Sequence, residues 1–124
     1  MTHPLKVYYI EDDDQLADLL DTRLKNLGYF VSGHADNACD AIEGIRTDKP
    51  DLALVDIELH GRLEGLEIGD YLVSNTDIPF VYMTGHDDDA IIEQARKTIP
   101  DGYLLKPFDD RQLRVAVEMA LRKD

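Results

Sequence analysis

A single cysteine, Cys39, rules out an internal disulfide and any cysteine-rich zinc site. Its thiol is expected to serve as a small buried filler. Basic charge is also scarce: 13 Lys and Arg stand against 26 Asp and Glu, a net charge of -13. With no Lys/Arg cluster to offset it, such a surface repels phosphate backbones, so no nucleic acid is expected as a direct partner. No apolar run approaches the roughly 18 residues a membrane span needs. The first six residues lead into a strand without the long apolar core of a secretion signal. A cytoplasmic protein with no membrane insertion is therefore expected. Repeats, low-complexity stretches and linkers are absent too, and 124 residues suffice for one domain, 1–124, with one core.

What is present is an unbroken alternation of apolar runs and helical periodicities. Val7-Tyr8-Tyr9-Ile10 reads as a first strand. Leu16, Leu19, Leu20, Leu24 and Leu27 then recur at helical spacing, with Gly28 placed to end the helix. Tyr29 to Ser32 reads as a short second strand. Asp36 is placed to cap a helix with Ala38, Ala41, Ile42 and Ile45 on its inner face. Leu52-Ala53-Leu54-Val55 is apolar without interruption, as expected of a central parallel strand buried on both faces. Ile68, Tyr71 and Leu72 mark a third helix, and Ile78 to Met83 a fourth strand with Pro79 at its start. A weaker helix spans about 88–98, and a fifth strand runs from Gly102 to Leu105. Leu113, Val117, Ala120 and Leu121 give the last helix, capped by Asp109 or Asp110.

Five strands alternating with five helices predict an α/β fold: a five-stranded parallel sheet, doubly wound as (βα)5. In such sheets ligands bind outside the carboxyl ends of the strands. Those ends carry Glu11 and Asp12, Asp56, Thr84 and Lys106. The four consecutive acids Glu11-Asp12-Asp13-Asp14 have two readings. They can cap the following helix at the positive end of its dipole, or two of them can share a divalent cation. Individually, Asp56, Thr84 and Lys106 read as a turn residue, a cap and a solvated cation. Jointly, at one sheet edge, they imply a shared task. Magnesium takes oxygen ligands, and Asp12 and Asp56 supply carboxylates. Asp56 would then use its free oxygen as a nucleophile toward phosphorus, with Lys106 and the Thr84 hydroxyl contacting the phosphoryl oxygens.

Ile10-Glu11-Asp12-Asp13, Leu54-Val55-Asp56-Ile57, Met83-Thr84-Gly85 and Leu105-Lys106-Pro107-Phe108 closely resemble the receiver domain of two-component response regulators, a flavodoxin-like fold. The resemblance spans essentially the whole chain. It implies that Glu11, Asp12, Asp56 and the backbone carbonyl of Glu58 bind magnesium, for which manganese or calcium can substitute. It implies further that Asp56 accepts a phosphoryl group from a histidine kinase or phosphotransfer protein, with Thr84 and Lys106 contacting that group. Thr84 and Tyr103 match the family's switch positions, so the resemblance implies that the last two helices and the fifth strand between them form the readout face. Self-phosphorylation and slow autodephosphorylation are expected, but no dedicated enzyme activity.

The chain departs from the family pattern in places. Where Pro is common four residues after the acceptor, His60 stands, and the loop before Gly65 is one residue longer. Ile99-Pro100 replaces a small pair ahead of the fifth strand. Pro79-Phe80-Val81-Tyr82-Met83-Thr84-Gly85 is similar to a P-F-x-aromatic-x-T-G signature found in receivers that pair with HWE-type histidine kinases. Glu58 and His86 occupy the variable positions beside the acceptor, where they are expected to set the lifetime of the phosphorylated form. Other histidines are expected at the surface.

Two other functions compete. An aspartyl-nucleophile phosphatase of the haloacid dehalogenase type also joins Asp, Thr, Lys and magnesium, but it needs an Asp two residues after the nucleophile, where this chain has Glu58. A binding module that works without phosphorylation would keep the fold and tolerate loss of Asp56. An FMN carrier is excluded, because an acidic first loop repels phosphate. With no output segment after Leu121-Arg122-Lys123-Asp124, a stand-alone receiver acting through protein contacts is expected.

Overall fold

The computed structural model describes residues 4–85 and 89–122. Elements alternate as β1 (Lys6–Ile10), α1 (Asp14–Asn26), β2 (Phe30–Ala35), α2 (Ala38–Asp48), β3 (Leu52–Asp56), α3 (Gly65–Asn75), β4 (Phe80–Thr84), α4 (Asp89–Arg96), β5 (Gly102–Leu105) and α5 (Asp110–Leu121). All strands are parallel, in the order β2-β1-β3-β4-β5. This is the doubly wound parallel sheet that the alternation predicts and the flavodoxin-like fold that the resemblance implies.

Because side chains alternate across a strand, the sheet divides the core in two. Tyr8, Ile10, Ala53, Val55, Phe80 and Tyr82 face one layer, packed with Ala41 and Ile45 of α2, Ile68 and Leu72 of α3 and Ala95 of α4. Val7, Tyr9, Leu52, Leu54, Val81 and Met83 face the other, packed with Leu20 and Leu24 of α1 and Leu113 and Val117 of α5. β3 lies between β1 and β4 and is buried along its whole length. Fully covering each large apolar side chain contributes roughly 1.5–3 kcal/mol, so the sheet centre is where folding free energy concentrates.

Several local expectations shift. β2 runs three residues past Ser32, to Ala35, because its backbone stays paired with β1 as far as Ile10. The cap of α2 is Asn37, not Asp36: the Asn37 side chain accepts from the Asp40 N–H at 2.9 Å. Cys39 is exposed rather than a buried filler, since α2 turns Ala38, Ala41 and Ile45 inward and position 39 falls off that face. On α1 only Leu20 and Leu24 are buried, while Leu16 and Leu19 remain exposed beside Pro107 and Phe108. α4 is shorter than the periodicity implies, ending at Arg96, and Asp88 lies outside the described residues. At α5 the cap is Asp109, which forms a reciprocal capping box with Gln112.

Candidate functional site

The acidic run divides between its two readings, one residue capping the helix and two others facing a neighbouring carboxylate. Asp13 caps α1, its side chain accepting from the Leu16 N–H at 3.0 Å. Glu11 and Asp12 turn instead toward the end of β3, and each offers a carboxylate oxygen within 4.8 Å of one from Asp56. They meet there because β2 and β3 leave β1 on opposite sides, which opens a crevice at the carboxyl ends of β1 and β3.

Glu11 is 6% exposed and Asp56 4%. Like charges at such depth repel strongly and are poorly screened. Lys106 supplies the balance from the residue after β5: its Nζ donates to Glu11 Oε1 at 2.6 Å and to Asp56 Oδ2 at 2.8 Å. The Lys106 backbone N–H donates to the Thr84 carbonyl at 2.8 Å, which fixes the cation's strand against β4. From α1, Arg23 donates to the Phe108 carbonyl and pairs with Asp110 at 3.2 Å, tying the following loop to the helix beside it. The peptide bond between Lys106 and Pro107 is cis.

The Asp56 carboxyl is pushed up to about 7: burial raises it most, the Lys106 ammonium pulls part of that back, and the neighbouring Glu11 raises it again. For Lys106, burial works to lower the amine, but the hydrogen bonds to Asp56 and Glu11 outweigh it and the pKa is raised. An ammonium therefore stands permanently beside a carboxylate that is reluctant to ionise. Three oxygen donors this close, two of them buried, fit a hard divalent cation, whose charge would favour the ionised form of all three.

Every described residue that the strand-end pattern singled out is at or beside this crevice. Thr84 is the last residue of β4 and 2% exposed. The Glu58 N–H donates to Asp56 Oδ1 at 3.3 Å. Tyr103 stands apart on the edge strand, 39% exposed, its ring 6.2 Å from that of Tyr82. His86 lies outside the described residues. One participant escaped sequence reasoning: the backbone N–H of His60 donates to Asp12 Oδ2 at 2.8 Å. The only signal for it was the longer loop without its usual Pro.

The chain as a whole is similar to known proteins. The family model described as the response regulator receiver domain matches residues 7–118. The transcriptional regulatory protein KdpE of Staphylococcus aureus (strain NCTC 8325 / PS 47) is 34% identical over 117 residues, covering 94% of this chain and 50% of the relative. The chain thus spans half the length of that protein. Among solved structures, the signal receiver domain of a modulated diguanylate cyclase from Desulfovibrio desulfuricans G20 is 34% identical. It matches with a TM-score of 0.89 over 96% of this chain and 94% of that one. The N-terminal domain of a response regulator/sensory box/GGDEF 3-domain protein from Carboxydothermus hydrogenoformans is 31% identical, with a TM-score of 0.84 over 94% of both chains.

Proposed function

Because this chain belongs to the response regulator receiver domain family, we propose that Asp56 is its phosphoacceptor and that the phosphoryl group comes from a histidine kinase or phosphotransfer protein. The observation that carries the reading is the Lys106 ammonium bridging Glu11 and Asp56 within a cluster of three carboxylates.

An Asp56 carboxylate oxygen attacks phosphorus, the nitrogen–phosphorus bond of the donor breaks, and the electron pair and then a proton go to the leaving imidazole. Lys106 keeps Asp56 oriented and, as the new acyl phosphate forms, neutralises a phosphoryl oxygen. The Thr84 hydroxyl donates to another oxygen from the adjacent strand end. Glu11, Asp12, Asp56 and the Glu58 carbonyl would hold magnesium, with manganese or calcium as substitutes, and the cation supplies positive charge where the phosphoryl group accumulates negative charge.

Receiver domains are phosphoacceptor signalling modules rather than dedicated enzymes, so the product is a changed surface. The dianion on Asp56 draws the Thr84 hydroxyl inward and leaves space behind it for the Tyr103 ring, and α4, β5 and α5 change their outer face in response. A net charge of -13 favours protein over nucleic acid as the recipient. The Pro79-to-Gly85 signature supports an HWE-type kinase as the donor. Glu58 and His86 control access of water to the acyl phosphate; alanine at both should change the dephosphorylation rate, and an unchanged rate excludes that role.

Treatment with acetyl phosphate and magnesium, followed by intact mass and peptide mapping, tests the central reading. One labile phosphoryl group on Asp56 is expected. Steady turnover of a small phosphate ester, or label elsewhere, overturns it.

A further inference from the structure

Where the family pattern has Pro, this chain makes a tight hairpin turn. His60 and Gly61 both have positive φ, 54° and 74°. Leu59 and Arg62 exchange two backbone hydrogen bonds across them, at 2.8 and 3.0 Å. Two central residues with positive φ define a type I′ turn. Histidine is among the few residues besides glycine enriched in that region, whereas the proline ring fixes φ near -65° and removes the N–H. The longer loop and the missing Pro are thus one feature.

The turn is anchored at its base. Leu59 is fully buried in the core, and the Gly65 N–H donates to the Ile57 carbonyl at 2.9 Å where the loop closes onto α3. A main-chain amide on such a frame has little freedom, and it points at one carboxylate: the His60 N–H lies 2.8 Å from Asp12 Oδ2. The His60 imidazole is a weaker candidate for the same task, since its Nδ1 is 3.9 Å away and its side chain is 52% exposed.

We propose that His60 is a positioning residue for the acidic cluster, its backbone N–H holding the Asp12 carboxylate in place for a divalent cation. The inference rests on the reading that Glu11, Asp12 and Asp56 hold that cation. A carboxylate has lone pairs enough to accept this hydrogen bond and still face the metal. Hydrogen-bonded partners of ligating carboxylates typically change metal affinity tenfold or more.

Calorimetric titration of magnesium into the phosphate-free protein, with thermal unfolding as a check on folding, tests this without any phosphotransfer. His60→Pro, which removes the N–H and the turn, should weaken binding by about tenfold. His60→Asn, which keeps the N–H and suits a type I′ turn before Gly61, should stay within about twofold of wild type. Gly61→Val is the second variant should the Pro chain fail to fold: it opens the turn while keeping every N–H, and it too should weaken binding. A folded Pro or Val variant with wild-type affinity overturns the proposal, as does an Asn variant as weak as Pro. A wild-type protein that takes up no magnesium overturns the metal reading beneath it instead.

Discussion

β3 and β5 each deliver one charged group to the same crevice, and their surroundings could hardly differ more. β3 has a strand on either side and not one exposed residue; Asp56 stands at its end with the sheet behind it. β5 has one neighbour, and only Leu104 of its four residues is buried; Tyr103 and Leu105 are 39% and 54% exposed. Fixed geometry suits a nucleophile, which loses rate when misplaced by an ångström. Low packing suits a readout, because rearranging an edge disturbs few contacts. Under the proposed function, acceptance belongs to the sheet's centre and response to its rim.

The most severe break in that division is Asp56→Asn. Labelling by acetyl phosphate should vanish completely, as read by intact mass. The same variant tests what burial does to the acid. Folding holds the Asp56 pKa at about 7 against an ordinary 3.8, so it favours the neutral form. The associated stability is fully present below the unfolded value and is lost as pH rises through about 7. Metal-free Asp56→Asn should therefore unfold at a higher temperature than wild type at pH 8, with the gap narrowing by about 2 kcal/mol by pH 5. Magnesium should stabilise wild type at pH 8 and leave the Asn variant nearly unchanged.

Glycine pairs sharpen the contrast without touching a charge. A Cβ on Gly65 would stand 2.1 Å from the Asp56 carbonyl oxygen and 2.6 Å from the Ile57 Cα. Those are main-chain atoms of the buried strand end, which cannot give way, so Gly65→Ala should cost about 3 kcal/mol and disturb phosphorylation. On the edge strand, a Cβ on Gly102 would meet only Val81 methyls at 3.6 and 3.8 Å, ordinary contact distances. Gly102→Ala should stay within about 0.5 kcal/mol in denaturant unfolding. Equal losses would mean that centre and rim are not differently constrained.

Lys106 bridges the two regions, leaving β5 to neutralise a group on β3. Lys106→Met leaves Glu11 and Asp56 facing one another without a cation. Since the ammonium is 20% exposed, about 2 kcal/mol at pH 8 is expected, below the usual loss for a wholly buried pair. The deficit should shrink toward pH 5, where Asp56 is neutral in the folded chain. Phosphorylation should slow on the order of tenfold or more.

The centre was also the more legible region in the sequence. An uninterrupted apolar run ending in Asp56 signals a doubly buried strand, and strand ends in a parallel sheet must share an edge, so Glu11, Asp12, Asp56, Thr84 and Lys106 could be brought together from pattern alone. The legible signal weakened where tertiary contacts decide. Leu16 and Leu19 fit a helical stripe, yet the arc of α1 that meets the sheet is narrower than that stripe. Asp36 and Asn37 are both good caps, and residue type alone does not say which one stands in extended backbone directly before the helix, as Asn37 does. Cys39 is exposed against expectation because burial depends on which way α2 faces. The His60 amide was invisible, because a main-chain donor leaves no residue type to recognise.

Tyr103→Ala probes the rim and should have the smallest effect on stability. The side chain is 39% exposed, and its ring rests near Tyr82, whose own hydroxyl bonds Thr98 at 2.5 Å just past α4. Tyr82 is therefore held by α3, α4 and the sheet without help from Tyr103, and truncating the outer ring should remove less than about 1 kcal/mol. The rate of labelling at Asp56 should stay within about twofold, because no atom of Tyr103 enters the crevice chemistry. What should change is the response: amide exchange across α4, β5 and α5 rises or falls on phosphorylation in wild type, and that difference should be reduced in the variant. If Tyr103→Ala instead slows labelling as much as Lys106→Met does, the edge strand takes part in acceptance, and the separation between a rigid centre and a responsive rim does not hold.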